Sequence, residues 1–505
     1  NLYNYDHLAR PAKIRPVIAE GPAAHSADFR TWTVKIKRGI FFADDPAFKG
    51  KRRELTAADF VYAVKRFVDP ANKSPASSNV IDLTLIGLGA LRERALKDRA
   101  PFNYDTEIEG LRALDRTTIQ YKLEQPRPRF VESPLTSHDL FGAVAREVVK
   151  AYGEDIPAHP VGTGPFRLVQ WRRSSLIVLE KNPAYREVFY EAEPAADDAE
   201  GRAFVERFKG RRLPMIDRVE VSIIEESQPH WLGFLSGQID FVNVPLEFAN
   251  QALPGGRLAP HLAKRGLRLR REMAADSAYT YFNMEDPVVG GYTPERVALR
   301  RAIALAMNVP REIGVVRRSQ AIPAQSPIVP HTSGYDPAFK SEMGDHDPQR
   351  AKALLDLYGY NDRDGDGFRE RPDGQPLTLE VATQSDALSR TFDELLQKSM
   401  EAVGIRVRFA IGQWPEQLKQ ARAGKLMLWQ LGGSAASLDG AESLQRYHSA
   451  QIGGQNFARF RHKRFDELYE RLLVIEDGPQ REALFREAKL IATASRQIGM
   501  FLVIL

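Results

Sequence analysis

A mixed α/β chain of two or three domains, or one large discontinuous fold, is what this sequence predicts, and three observations carry the expectation. The chain has 505 residues, about three times the common domain size. "LTLEVATQ", "IRVRFAIG" and "KLMLWQLGG" read as strands, with helices between them at Asp386 to Val403 and Pro415 to Ala423, a β-α-β-α-β run of the kind found in α/β sheets. Elsewhere strands adjoin strands, so sheet and helix are mixed rather than strictly alternating, and no repeat of fixed period is evident.

The elements follow in order. "TWTVKIKRGIFFADD" alternates through Trp32, Val34 and Ile36 as a half-buried strand does. In "ELTAADFVYAVKRFVDP", Thr56 is an N-cap with Asp59 three residues on, Phe60, Val64 and Phe67 share a face, and the helix stops before Pro70. Ile119, Tyr121 and Leu123 mark another alternating strand. "FRLVQWRRSSLIVLEKNPAY" is a hairpin turning at Arg172 to Ser175. Residues 191–212 form a charged surface insertion with a short helix, followed by the strand "IDRVEVSIIEE" and the helix-like "SQPHWLGFLSGQID". "RLRREMAADSAYTYFNM" reads as a strand pair. Two helices then carry the same start signal, Thr293 before Pro294 and Asp347 before Pro348, the second ending at Gly359. "IGMFLVIL" reads as a buried strand.

Composition excludes several classes. Apolar content of 43% with 27% charge is ordinary for a globular chain, and no run reaches the ~20 apolar residues of a membrane span. Cysteine is absent, so disulfides, thiolate metal sites and cysteine nucleophiles are excluded. The net charge of +5 is scattered over pairs such as Arg172-Arg173 and Arg300-Arg301, and only "KGKRR" at Lys49 to Arg53 clusters, with no RNA- or DNA-binding motif around it. A nucleic-acid partner is not expected.

The motifs for chemistry are mostly negative. "VGTGPF" has two glycines, Gly162 and Gly164, but Pro165 removes a backbone donor and a strand follows, so it is a turn and not a phosphate loop. Its glycines are expected where backbones cross closely, as at a hinge between domains. "NDRDGDGFRERPDG" sets Asp362, Asp364 and Asp366 at calcium-loop spacing with Gly367 next, yet Asp373 stands at position 12, and an Asp/Gly-rich turn is the simpler reading. No G-x-S-x-G, H-E-x-x-H or Walker lysine occurs, and no cofactor, metal or catalytic residue is assigned.

With these segments in place, their order resembles the extracellular solute-binding proteins of ABC importers, family 5, the oligopeptide, dipeptide and nickel-binding type. "NLYNYDHLARP" is similar to the family's "nlYegL", and "PVGTGPFRLVQW…LEKNPAY" to "piGTGPy.l..w…l.rNp.Yw". "LSGQIDFVNVP", "VALRRAIALAMNVPREI", "RAKALLDLYGYNDRDGDG" and "QNFARFRHKRFDELYE" match further family segments in the family's order. The resemblance implies a two-lobed periplasmic-binding-protein fold with an extra domain inserted in the first lobe and a hinge between lobes. Residues 1–10, 161–265 and 489–505 would make the first lobe, 11–160 the inserted domain and 266–488 the second lobe. It further implies capture of a peptide or peptide-like solute, delivery to a transmembrane permease, a monomer, no catalysis, and a periplasmic or exported and surface-anchored location, with the signal peptide not present in this chain. The family pattern also carries a strand before "nlYegL" and a tail after the last strand that this sequence lacks.

The resemblance also nominates ligand contacts. Peptide-binding members read "gW.aDy.dP" where this chain reads "LGGSAASLDGAESL". Gly433 stands at the tryptophan, Ala436 at the aspartate that pairs with a peptide's amino group and Gly440 at the proline, while Asp439 keeps the second acidic position. A non-peptide solute, such as an opine-like conjugate, a metal chelate or a small natural product, is the alternative these departures favour. Trp414 and Asn283 match a pocket tryptophan and an asparagine of the family. Trp414, Asn283, Tyr281, Ser434 and Asp439 are thus the expected ligand-binding residues. Local readings compete: Trp414 as a core residue, Asp439 as a helix N-cap, Asn283 as a turn residue.

Overall fold

The structure is a computed structural model that describes residues 1–10, 12–98, 101–136, 141–271, 273–435, 437–494 and 498–504. The chain divides into two compact units, Asn1–Gln238 and Ile239–Leu505.

The first unit holds three small sheets. Strands β1 (Tyr3–Tyr5) and β2 (Ile14–Pro16) pair with each other. A four-stranded antiparallel sheet has the order β3 (Ala24–His25), β4 (Thr31–Lys35), β6 (Thr118–Lys122), β5 (Leu111–Ala113). Its alternation is the one read from sequence: Trp32, Val34, Ile36, Ile119, Tyr121 and Leu123 are buried, packed with Phe60 and Val64 of helix α1 (Ala57–Val68). At the start of α1, Asp59 accepts hydrogen bonds from the Thr56 backbone N–H at 2.7 Å and from Arg53 Nη1 and Nη2 at 3.0 and 2.6 Å, which both caps the helix and pairs a buried carboxylate. The third sheet is antiparallel: β7 (Phe166–Arg172), β8 (Leu176–Lys181) and β9 (Arg218–Ser222). The expected hairpin turn is present, with Ser174 at φ 55° and Ser175 N–H donating to the Arg172 carbonyl. Helices α2 (Ala199–Phe208) and α3 (Ser227–Leu235) lie where the sequence places them.

One reading of "VGTGPF" is corrected. A Cβ added at Gly162 would come no nearer than 4.0 Å to any atom and one at Gly164 would meet nothing, so a close backbone crossing is not what these glycines serve. The turn is held by the Gly162 carbonyl accepting from Ala43 N–H and the Gly164 carbonyl accepting from Asn182 Nδ2.

The second unit is built on one six-stranded sheet of order β11 (Ala321–Pro323), β15 (Ile498–Ile504), β10 (Asp276–Phe282), β14 (Leu428–Ser434), β12 (Thr378–Thr383), β13 (Arg406–Ile411). The β12, β13 and β14 strands are parallel, as the β-α-β-α-β reading requires, with α6 (Ala387–Glu401) and α7 (Trp414–Arg422) as the crossovers. Both faces of the sheet are covered. Tyr279, Tyr281 and Trp429 join one core with Phe485 of α10 (Pro479–Ala494) and with α9 (Lys463–Val474), while Ala278, Phe282, Val381 and Leu428 join another with α4 (Pro294–Ala306) and α5 (Pro348–Leu357). With helices on both faces, β10 is buried almost throughout, its polar Ser277 and Thr280 included.

Two expectations differ from the structure. Among the described residues, "RLRREMAADSAYTYFNM" contains one strand, not two: Arg268, Arg270 and Arg271 are exposed and make no ladder. Residues 489–505, assigned from sequence to the first lobe, contribute the end of α10 and the strand β15, which inserts between β10 and β11 in the second unit's sheet.

Replacing Asp59 with alanine leaves the Arg53 guanidinium only Glu147 as an acidic partner among the described residues. A loss of about 2–3 kcal/mol is expected in urea unfolding, below that of a sealed pair because Glu147 remains.

Candidate functional site

In an open sheet with parallel strands, the carboxyl ends are where neighbouring strands splay and helices begin, leaving a crevice. Here β14 pairs with β12 only at Val381–Leu428 and Ala382–Trp429, then diverges, while its other edge stays paired to β10 through Ser434. A pocket of about 290 Å³ opens beside this split, among Trp414, Trp429, Phe392, Asp393, Thr383 and Glu312.

Trp414 is the first residue of α7, ahead of Pro415, and is 50% exposed. Trp429 is 2% exposed, with ring centroids 6.3 Å from Trp414 at an interplanar angle of 52°. The two indoles form an apolar wall. Asp393, projecting from α6, accepts a hydrogen bond from Thr383 Oγ1 at 2.8 Å and forms no ion pair among the described residues. Burial pushes the Asp393 carboxyl above its ordinary range, against the lowering effect of the Thr383 hydroxyl. Glu312 is also raised by burial, although Arg317 Nε donates to it at 3.0 Å and opposes the shift. The pocket thus has an aromatic wall, a neutralised acid–base pair and one unpaired carboxylate.

The remaining nominated residues lie elsewhere. Asn283 is 3% exposed, and its amide donates to the Gly424 carbonyl and accepts from Glu285 N–H, as a turn residue does. Tyr281 is 1% exposed in the core, its hydroxyl without a partner and its pKa pushed up by burial. Asp439 precedes the short helix α8 (Ala441–Gln445), accepts from Ala441 N–H, and is bound by Arg481 Nη2 at 2.6 Å. The expectation that it could take a ligand cation meets a side chain already neutralised. Ser434 is exposed at the end of β14. Ala436 lies outside the described residues.

Residues 13–455 match the model of the bacterial extracellular solute-binding proteins, family 5 Middle. The chain belongs to this family. It is 26% identical over 501 residues to the Di/tripeptide-binding protein 2 of Pseudomonas aeruginosa (strain UCBPP-PA14), covering 97% of this chain and 81% of that protein. It is 25% identical over 468 residues to the probable deoxycholate-binding periplasmic protein YgiS of Escherichia coli (strain K12), covering 90% and 75%. Among solved structures, the periplasmic binding protein DppA of Helicobacter pylori, in complex with peptide STSA, superposes with a TM-score of 0.72 at 20% identity, over 100% of this chain and 87% of that one. The fold is therefore the two-lobed one of periplasmic binding proteins, as the resemblance implied, and the family is one of binding proteins. No helix among the described residues is long and apolar enough to cross a membrane.

In this family 5 solute-binding protein, the acidic turn 361–374 brings carboxylate oxygens of Asp362, Asp364 and Glu370 within 4.8 Å of one another. Asp362 accepts from Gly365 and Gly367 N–H, Asp364 from Asp366 N–H and Glu370 from Arg363 N–H, hydrogen bonds that turn the chain as an Asp/Gly-rich turn does. Sequence reasoning missed Trp429, Phe392, Asp393 and Glu312. Trp429, Phe392 and Asp393 sit on a strand and a helix that the sequence reading placed, Glu312 lies past the end of the helix read before it, and no spacing in the chain signals that they meet.

Replacing Asp439 with alanine leaves Arg481, 1% exposed, with only Asp477 as an acidic partner among the described residues. A destabilisation of about 3 kcal/mol is expected in chemical unfolding, whereas a ligand contact would change affinity and leave stability alone. For Asp393 the sign follows from its raised pKa: the folded state holds this proton more tightly than the unfolded one, so stability falls as pH rises from the unfolded toward the folded pKa. Thermal melts of Asp393→Asn are expected to exceed wild type at neutral pH, with the gap closing in acid.

Proposed function

We propose that this protein captures a peptide or peptide-like solute between two closing lobes and delivers it to the transmembrane permease of an ABC importer, acting by binding and not by catalysis. The observation that carries the reading is Trp414, a half-exposed indole at the mouth of a pocket at the carboxyl ends of parallel strands, in a chain of family 5. Burying so large an apolar side chain on an unoccupied surface would be the ordinary outcome of folding; leaving it open suits a wall that a ligand covers. The Pseudomonas relative, named for di- and tripeptides, supports a peptide. Trp414 and Ser434, the two nominated residues left exposed, are the proposed contacts, with Asp393 added to them. Tyr281 and Asn283 are proposed to act behind them, holding β10 and its following turn. We assign the protein to the periplasm, or to the outer surface of the membrane through an anchor, as a monomer, and retain a discontinuous first lobe carrying an inserted domain over 11–160.

A second reading, a non-peptide solute, is favoured by Asp439. Its carboxylate is held by Arg481 and offers nothing to a peptide's amino group. The Escherichia coli relative, named for deoxycholate, supports this reading.

Native mass spectrometry of the gently purified protein, before and after denaturation, separates the two: a heterogeneous set of short peptides supports the first, and one discrete non-peptide mass overturns it in favour of the second. Trp414→Ala is expected to weaken binding of the identified ligand by about tenfold or more, with stability within about 0.5 kcal/mol of wild type because the residue is half exposed.

A further inference from the structure

The carboxyl end of β14 carries a second feature, separate from the pocket lining. Arg446 follows α8 and lays its guanidinium over the Tyr279 ring, 4.5 Å from the centroid. It does so across Gly433. A Cβ built on that glycine would stand 3.2 Å from Nη2 and 3.4 Å from Nη1, so a side chain at 433 would press on the guanidinium where it now lies. Gly433 is paired with Ser277 of β10 and flanked by exposed Gly432 and Ser434, which places the charge at the open end of the sheet.

The Nη1 atom is buried with no hydrogen-bond partner, and among the described residues no carboxylate forms an ion pair with Arg446. Two other arginines with an orphaned nitrogen use another one, Arg300 Nη1 reaching the Val289 and Gly291 carbonyls and Arg371 pairing with Asp373, whereas Arg422, with its Nε orphaned, shares with Arg446 the lack of a hydrogen-bonded or ion-paired side-chain partner among the described residues. Arg481 and Arg317, the arginines nearest full burial with acidic neighbours, are both paired. The half-buried guanidinium is held by an aromatic face and leaves hydrogen-bonding capacity unused within the protein. Its planar fork is suited to take a carboxylate through two parallel N–H···O bonds, and its stacking on Tyr279 orients that fork in advance.

We propose that Arg446 is the anion-recognition residue of this protein, and that its solute carries a carboxylate which the guanidinium binds over Gly433. The inference rests on the solute-binding reading and narrows it to acids: the C-terminal carboxylate of a peptide, or the acid group of a non-peptide solute.

The test is calorimetric titration of the full, ligand-stripped chain with alanyl-alanine, with its C-terminal amide, with deoxycholate and with acetate, alongside the arginine side-chain 15N spectrum. Amidation is expected to weaken dipeptide binding by roughly thirtyfold or more, acetate is expected to shift the Arg446 signal, and Arg446→Met is expected to erase the difference between acid and amide. Gly433→Ala keeps the charge but crowds Nη2, and is expected to weaken acids in the same direction should Arg446→Met fail to fold. Equal binding of acid and amide by wild type, an acid preference that survives in Arg446→Met, or no Arg446-dependent response to any of the carboxylates overturns the proposal. A response to acetate or deoxycholate without dipeptide binding keeps the carboxylate site and removes the peptide reading.

Discussion

Two residue pairs, Val381–Leu428 and Ala382–Trp429, are all that join β14 to β12, and the second unit's surface chemistry follows from that short register. On its other edge β14 is paired with β10 along its whole length, from Phe282–Leu428 to Asp276–Ser434. The strand is thus anchored on one side and released on the other. A backbone that leaves its neighbour must either meet water or border a cavity, since an unpaired edge buried in apolar packing is costly. The outcome is the 290 Å³ pocket beside Trp429, with Thr383 and Asp393 supplied by the element that β14 has parted from.

The segment after β14 is fixed by a different force. Arg481, almost wholly buried on α10, binds Asp439, Asp477 and the Ser333 hydroxyl, and its guanidinium lies over Phe485. Asp439 in turn caps α8 and takes the Ser333 hydroxyl, so three stretches distant in sequence are tied at one point. A buried pair of this kind contributes little net stability against an apolar substitute, but it specifies one arrangement, because either charge left alone is penalised. That arrangement sets where the chain turns between Ser434 and α8, and so where Arg446 emerges beside Gly433. The two arginines divide the work: Arg481 satisfies its charge inside the protein, while Arg446 keeps its own for something outside it.

Much of the architecture was legible because local patterns and tertiary packing agree. Alternation at Trp32, Val34 and Ile36, the cap at Thr56 and Asp59, and the Thr293-Pro294 and Asp347-Pro348 starts all correspond to real elements. Where burial is two-sided or charge dominates, the pattern misled: the arginines at 268, 270 and 271 imitate alternation without an apolar partner face. The candidate site was legible only in part. Trp414, nominated as a ligand contact, lies half exposed beside a pocket, but Asn283 and Asp439 proved to be occupied by their own surroundings.

By itself the sequence determined the element types, the parallel β12–β13–β14 core and the family, because these depend on periodicity, caps and residue order, all of which are local or one-dimensional. Only the tertiary structure decided which polar groups remain available. Asp439 precedes α8 and Asp393 projects from α6, yet one is neutralised by an arginine 42 positions away and the other meets a single hydroxyl. Gly433 and Arg446 are 13 positions apart on different elements, and nothing in their spacing announces that one makes room for the other. Partnership of charges is a property of three-dimensional proximity, and hydrogen-bond distances decide it.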